Sequence, residues 1–583
     1  MLAALVLAFG TAPELPLGAA APRVPFTDTR WLPRELSELG PHAATVVVFT
    51  ALECPIAARV LPRVGELERK LRPRGVQFLA LDVGPEDELV EVAARALEQG
   101  CEFPVGRDFD GAATRALGAT RTPEFLLLDA AGKLAYRGRF DAGQRYSGDV
   151  PGEVRADLAE AIEDVLAVRP VRVPQTPLEG CLITPPLEIA RVDPEQAPTW
   201  AGAVAPLVAR NCASCHVEGG MAPFALTTCA QAAAKAAMIA EVVQQARMPP
   251  WFAARAQHFE NERGLSQDER ATLVRWARSG TPAGPGGENV RAEPLHPPQE
   301  GWRIGKPDLV LEVLSETKLP ATGYVPYAYQ LVPHVFLQDT WVEGIEIRSS
   351  NPHVVHHANL GWYKLGGRVQ SQNFVTGQVP GGDALELPPG VAYRIPAGAL
   401  LGLQVHYVTS GREEKERISI GLRFPRAKVE QQLKHFELAD FRFEIPPLAP
   451  AWPVRAERTF AQDAIGIGVF VHMHLRGKDM RITALDPSGD AQTLLCVPNY
   501  SFDWQTGYPW RFGEKRFAKG TRVEALAHFD NSRFNPFNPG PEKSVRFGQE
   551  TYDEMMYGFL FYVDAHERLE LEVDPSNGQA PAH

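Results

Sequence analysis

The residues best equipped for chemistry fall into a few short stretches. Four lie in the C-terminal half: Asn351-Pro-His-Val-Val-His356-His357, Leu403-Gln-Val-His406-Tyr407, Phe470-Val-His472-Met-His474-Leu-Arg-Gly477-Lys478 and Tyr552-Asp-Glu-Met555-Met556. On a strand, His472 and His474 turn their imidazoles to one face, where both can hold one metal. Imidazole suits copper and a thioether suits Cu(I), so a methionine from a neighbouring strand would complete a site able to cycle between Cu(I) and Cu(II). His356 and His357 are adjacent and point to opposite faces of a regular strand. Both reach one metal only across a bulge or a turn, with His406 supplying a third nitrogen. Zinc competes for such sets, but a Met ligand disfavours it. A lone strand histidine is usually a satisfied polar residue, and His334, His353 and His528 read that way. With only 15 His in 583 residues, the combination carries the metal reading.

Two further stretches precede these. Asn211-Cys212-Ala-Ser-Cys215-His216 has the C-x-x-C-H spacing, in which two thiols bond the haem vinyl groups and the histidine binds iron. The competing reading is a redox or zinc-binding C-x-x-C with His216 incidental. Met248, in Arg247-Met-Pro-Pro-Trp251, is the expected sixth ligand, because its prolines favour an irregular loop that can present sulfur. Met221 lies too near His216 and is assigned to the pocket wall, and Met238 to a helix. Near the N-terminus, Glu53-Cys54-Pro55 opens a helix, and a helix N-terminus lowers a thiol's pKa. Cys54 is thus a candidate redox thiol, with Cys101 as a candidate partner, against a structural or docking role.

These stretches sit in segments of different texture. Residues 23–170 alternate short buried strands, such as Thr45–Thr50 and Val76–Asp82, with amphipathic helices, giving an α/β domain. Residues 171–195 are Pro-rich and read as a linker. Residues 196–285, with the C-x-x-C-H stretch, read as a small all-α, cytochrome c-like domain, and 286–304 as a second linker. From residue 305 onward, short turn-punctuated strands rich in Val, Tyr, Phe and Ile point to two all-β sandwiches, expected at 305–440 and 441–575. Residues 1–22 read as a signal peptide, with an apolar run to Gly10 and small residues at Gly18–Ala21, although no Lys or Arg precedes the run. That places the protein in the periplasm or outside the cell. A net charge of −12 argues against a nucleic-acid partner, and no later apolar run is long enough for a transmembrane anchor. The C-terminal half holds only Cys496, so no disulfide can form within it.

In order and context, the four histidine and methionine stretches resemble the copper type II, ascorbate-dependent monooxygenases, whose members include peptidylglycine α-hydroxylating and dopamine β-monooxygenases. The resemblance spans roughly residues 305–570. It implies two jelly-roll-like domains and two copper ions. His356, His357 and His406 would hold the electron-transfer copper. His472, His474 and Met555 would hold the copper that binds O2 and attacks a C–H bond. Phe470 stands where the peptide-hydroxylating members carry Arg, and Tyr557 and Phe559 stand where they carry carboxylate-binding residues, so a peptide-terminus pocket is not expected. The family's disulfides are also missing. Residues 24–168 resemble the thioredoxin-like superfamily, especially its redoxin and peroxiredoxin branch, through Cys54-Pro55 at a helix start and Arg121-Thr122-Pro123 before a strand. There the proline is cis and abuts the active cysteine. Ala57 replaces the second cysteine of a C-x-x-C, and Ala51 replaces the peroxiredoxin Thr or Ser.

Together these readings describe an exported oxidoreductase with covalent haem c and two coppers. It would hydroxylate a small organic substrate with O2, using electrons from an external donor that pass through the fused haem domain. The alternatives are a copper-binding or electron-carrying protein without catalysis, and a thiol peroxidase or disulfide reductase centred on Cys54.

Overall fold

The computed structural model describes residues 14–145, 154–184, 193, 195–295, 301–367, 373–379 and 382–581. The chain divides into two compact units, one of residues 1–188 with 532–536, the other of the remainder.

The first unit is an α/β domain. Its central strands Ala44–Thr50 and Val76–Asp82 run parallel and are almost wholly buried, as continuous Val, Phe and Leu runs demand when helices cover a sheet. Antiparallel strands Glu124–Asp129 and Leu134–Gly138 extend one side, and Val105–Arg107, Pro25–Asp28 and Pro33–Glu35 extend the other. Helix Pro55–Leu71 packs Ile56, Val60 and Val64 into the core, beneath Val46, Phe78 and Phe125.

Two sequence expectations meet the structure here. Residues 1–13 of the expected signal peptide lie outside the described residues. Gly18 and Ala21, in the expected cleavage zone, donate to Leu134 and Gly132 of the strand-turn beside them. Residues 18–21 thus lie against the Gly132–Leu134 turn, with one isolated bridge between Ala20 and Lys133. Within the expected linker, Cys181–Leu182 forms a short strand paired with Arg121–Thr122.

In the second unit, residues 200–278 form short helices, Ala205–Asn211, Cys229–Ala233, Ala236–Gln244 and Gln267–Arg278, entered through a π-turn at Trp200–Val204. They close on Trp200 and Trp276, whose rings lie 5.9 Å apart. The Trp200 indole N–H donates to Val290 O, and Ala292 N to Thr227 O, so the start of the expected second linker is packed on the helices.

The β part consists of two sandwiches. In the first, the sheet of Ala328–Phe336, Ala399–Tyr407, Val355–Lys364 and Phe374–Gln378 faces the sheet of Leu309–Glu312, Ile418–Arg423 and Gly344–Ser349 across a Val/Ile/Leu core. In the second, Lys434–Ala439, Met556–Asp564 and Ala464–Met473 form one sheet, and Trp452–Thr459, Arg522–Phe529, Gly477–Leu485 and Ala491–Val497 form the other. Lys434–Ala439, expected to end the first sandwich, pairs along its length with Met556–Asp564 and belongs to the second. Ile445, which opens a Pro-rich stretch, pairs with Val545. Among the described residues, no helix is long and apolar enough to cross a membrane.

Candidate functional site

The first sandwich brings His356, His357 and His406 together: one ring nitrogen from each lies within 4.8 Å of the others. The backbone explains how adjacent residues converge. Val355 pairs with Tyr407 and His357 with His406, and the register shifts between them, leaving His356 on a bulge. The bulge turns His356 to the side that His357 already faces, and their Nδ1 atoms are 3.0 Å apart. Donors ~2 Å from one ion sit ~3–3.5 Å from each other, so this spacing fits a shared metal. His406 Nδ1 is buried with no hydrogen-bond partner among the described residues. A buried polar atom left unmatched is costly unless something binds it, and a copper ion held by the three imidazoles would do so.

The second sandwich presents His472 near the end of strand Ala464–Met473 and His474 just beyond it, their ring centroids 5.2 Å apart. Each ring is oriented by its Nδ1. His472 Nδ1 lies 2.6 Å from Gln505 Oε1, and His474 Nδ1 lies 3.3 Å from the Asp553 carbonyl. Donation from Nδ1 leaves both Nε2 atoms as metal-ready acceptors. Gly477 closes the turn, where a Cβ would meet Met473 Cβ at 2.7 Å.

Met555 immediately precedes strand Met556–Asp564, whose first residue pairs with Met473. Met555 lines a cavity together with His472, whereas Met556 is fully buried in the sandwich. Glu554 ties the two sides together, its carboxylate accepting from His474 N at 3.0 Å and Arg476 N at 2.7 Å. Burial pushes Glu554 up to about 8, outweighing these N–H groups and the Arg476 guanidinium.

Phe502 stands between the two histidine sets. Its ring is 5.3 Å from His356, 6.0 Å from His357 and 6.0 Å from His474. The aromatic stretch Tyr500–Tyr508 therefore divides its duties. Tyr500 donates to Met473 O and accepts from Met473 N, Phe502 separates the histidines, and Gln505 orients His472. Gln505 carried no signal in the sequence, because its partner is 33 residues away.

Burial holds these imidazoles neutral. His474 is brought down to about 3 by burial and by His472, and His472 is lowered by burial. His406 is brought down to about 4 by burial and by His356, and His357 is lowered by burial and by its neighbours His356 and His406. The neutral ring is the metal ligand. The His472–His474 pair should therefore keep Cu(I) affinity as pH falls through ~6.5, the ordinary imidazole value. A competition titration that loses binding near that value would contradict this. In the metal-free protein the same shifts act on stability. Below ~6.5 the unfolded chain takes up protons that the folded chain refuses, so stability falls with pH across that window.

The C-x-x-C-H stretch follows helix Ala205–Asn211, and His216 N donates to Cys212 O at 3.0 Å. His216 Nδ1 lies 2.9 Å from Phe224 O, which leaves Nε2 for a metal. Burial lowers His216 and pushes the Cys212 thiol up to about 12. A largely apolar cavity of about 400 Å³ is lined by Cys212, Cys215 and His216, and by Met221, Met238 and Met248. Cysteine thiols, an imidazole with free Nε2 and thioethers around one apolar cavity fit a covalent haem. Met248 shares that cavity with the two other methionines, Met238 on its helix included. His356 and Trp504 line the same cavity from the β side.

In the first unit, Cys54 caps helix Pro55–Leu71, its sulfur accepting from Ala57 N at 3.4 Å and donating to Thr122 O at 3.1 Å. The Thr122–Pro123 bond is cis. The buried Glu124 carboxylate accepts from Thr120 N and Arg121 N and pairs with buried Arg137, shaping the loop that carries Thr122. Burial opposes ionisation of Cys54, but the Thr122 side chain, Ala57 N–H and Cys181 outweigh it and bring the thiol below its ordinary value. Cys101 belongs to the same core as Cys54 and lines a void of about 20 Å³ with Leu61 and Ala96.

Comparison with known proteins bears on the first unit. No curated protein matches the chain. Among solved structures it is similar to an uncharacterized conserved protein from Geobacillus kaustophilus, at 29% identity over 29% of this chain and 93% of that one, TM-score 0.28. It is likewise similar to a hypothetical protein from Sinorhizobium meliloti 1021, at 29% identity over 29% and 95%, TM-score 0.27. A third is the peroxidoxin BcpB from Mycobacterium tuberculosis, at 16% identity over 27% and 99%, TM-score 0.22. Residues 17–137 match the AhpC/TSA family, so this segment is a thioredoxin-like redoxin domain.

Proposed function

We propose that the second unit is a copper-dependent monooxygenase that hydroxylates an uncharged, largely apolar organic substrate with O2. The observation that carries this reading is the convergence of His356, His357 and His406 around an unpartnered, buried His406 Nδ1. His472, His474 and Met555 would hold a second copper. Bound copper supplies a one-electron Cu(I)/Cu(II) couple, and the thioether of Met555 favours Cu(I).

The chain's own groups do the rest. Gln505 and the Asp553 carbonyl set the rings of His472 and His474, and Glu554 holds the turn after them. A cavity of about 670 Å³ opens beside His472 and Met555. Phe470, Tyr557 and Phe559 line it, and no charged side chain does among the described residues. With the amides of Gln330, Asn359, Gln404 and Gln549 also on it, such a wall favours uncharged, largely apolar ligands that carry a hydrogen-bonding group. Among the described residues it offers no cation for a carboxylate, which disfavours peptides bound by a free terminus.

Cys212, Cys215, His216 and a methionine would hold haem c, which supplies a further one-electron couple. His356 belongs both to that cavity wall and to the copper triad. This favours the helical segment as the electron-entry side.

The test is copper per chain by elemental analysis after anaerobic Cu(I) loading, followed by O2 uptake with a panel of neutral aromatic and aliphatic substrates. About two coppers, with hydroxylated product, are expected for two three-ligand sites. Copper near zero sinks the reading, and full copper without product leaves a carrier. For the first unit, the AhpC/TSA match favours a second reading, thiol redox chemistry at Cys54.

A further inference from the structure

We propose that Cys54 and Cys181 form a reversible dithiol–disulfide pair, with Cys181 as the sulfur that exchanges with external thiols. The inference rests on the thiol reading of the redoxin domain, not on copper. Cys181 lies outside the residues matched to the AhpC/TSA family, on the strap 179–183.

The strap is fastened directly over the Cys54 pocket. Cys181 pairs with Thr122, the residue whose carbonyl accepts from Cys54 Sγ at 3.1 Å. Ile183 N donates to Thr120 O at 3.0 Å. Arg121 donates to Gly180 O at 2.7 Å, and the buried Gln144 amide donates to both Pro123 O and Glu179 O at 3.0 Å. Gly180 allows the close approach, since a Cβ there would meet Thr122 O at 2.4 Å. Cys181 and Cys54 are near enough for each to shift the other's ionisation.

The two cysteines are not equivalent. Cys54 is 1% exposed and sits at a helix N-terminus, whereas Cys181 is half-buried at the surface of the same core. Burial and the neighbouring Cys54 push the Cys181 thiol up to about 11, while Cys54 is lowered. The better leaving group is the thiol of lower pKa. An external thiolate therefore attacks Cys181 Sγ of the disulfide, the S–S bond breaks, and Cys54 departs with the electron pair as thiolate. A second thiol of the external dithiol attacks the mixed disulfide. This releases Cys181, which takes a proton, and leaves the dithiol oxidised. The reverse sequence reduces an external disulfide. Each cycle moves two electrons, and no other co-reactant is needed.

The test uses the full-length protein equilibrated in reduced and oxidised dithiothreitol mixtures, with free thiols trapped by alkylation and peptides mapped by mass spectrometry. A peptide pair linking Cys54 to Cys181 is expected under oxidising conditions, disappearing reversibly under reducing ones. Cys101→Ser should retain the link, and Gly180→Ala should lower its equilibrium population about tenfold or more, a circular-dichroism spectrum serving as the check on folding. Oxidised Cys54 paired with Cys101, or over-oxidised with Cys181 free, overturns the pairing but leaves Cys54 a redox thiol. Cys54 remaining a free thiol across the whole range overturns the thiol reading as well.

Discussion

His474→Ala should take the loaded protein from about two coppers per chain to about one and remove hydroxylated product. His474 cannot be replaced by a neighbour. His472 is committed to the same site, and Phe502 lies between it and the triad. The copper that remains should be bound by nitrogen alone, because the triad offers only imidazoles. X-ray absorption of the Cu(I) form provides the check. The unaltered protein should show a sulfur shell, Met555→Ile should lose it while keeping most copper, and His474→Ala should lose both shell and ion. His406→Ala is the complement: about one copper again, but with the sulfur shell intact. A sulfur shell that survives Met555→Ile would remove Met555 from the site.

The second large effect lies under the metal. Glu554 and Arg476 are both buried, and the carboxylate also receives the N–H groups of His474 and Arg476. Glu554→Ala strips acceptors from two buried N–H groups and leaves a buried guanidinium without its carboxylate. With the carboxyl ionised, above about pH 8, removing one member of such a pair costs about 3–5 kcal/mol, and less at lower pH where Glu554 is protonated. Denaturant unfolding of the metal-free protein should show that loss. Glu554→Gln keeps one acceptor oxygen and should cost less, with copper affinity at the His472–His474 site about 10–100-fold weaker, as for other losses of groups that orient ligands. A Glu554→Ala protein as stable as the parent would mean that water replaces the carboxylate.

Several elements were legible in the sequence because they are local. The Val/Phe/Leu runs at Ala44–Thr50 and Val76–Asp82 declare buried strands, and Cys54-Pro55 declares a helix start. Residues 17–137 match the AhpC/TSA family, in line with the redoxin domain that the resemblance implied at 23–170. The two-residue spacing of His472 and His474 and the C-x-x-C-H stretch are also local statements about which side chains can meet.

Other features needed the assembled chain. The run at Gly18–Ala21 has small residues that suit a peptidase and also a close strand partner, and its hydrogen bonds to Leu134 and Gly132 are visible only in the folded chain. Lys434–Ala439 could end either sandwich until its partner, Met556–Asp564, is known. Cys181 in its Pro-rich surroundings carries no signal pointing to Cys54 more than a hundred residues earlier.

The sequence by itself determined residue types and short-range periodicity: which strands are buried, which histidines can share a face, and where a thiol meets a helix N-terminus. Only the tertiary structure decided which of them meet. The bulge at His356, Phe502 between the histidine sets, Gln505 on His472 and the strap carrying Cys181 all depend on strand register and on contacts between distant segments. Register follows from the summed burial of whole sheets, and a shift of one residue turns every side chain to the opposite face.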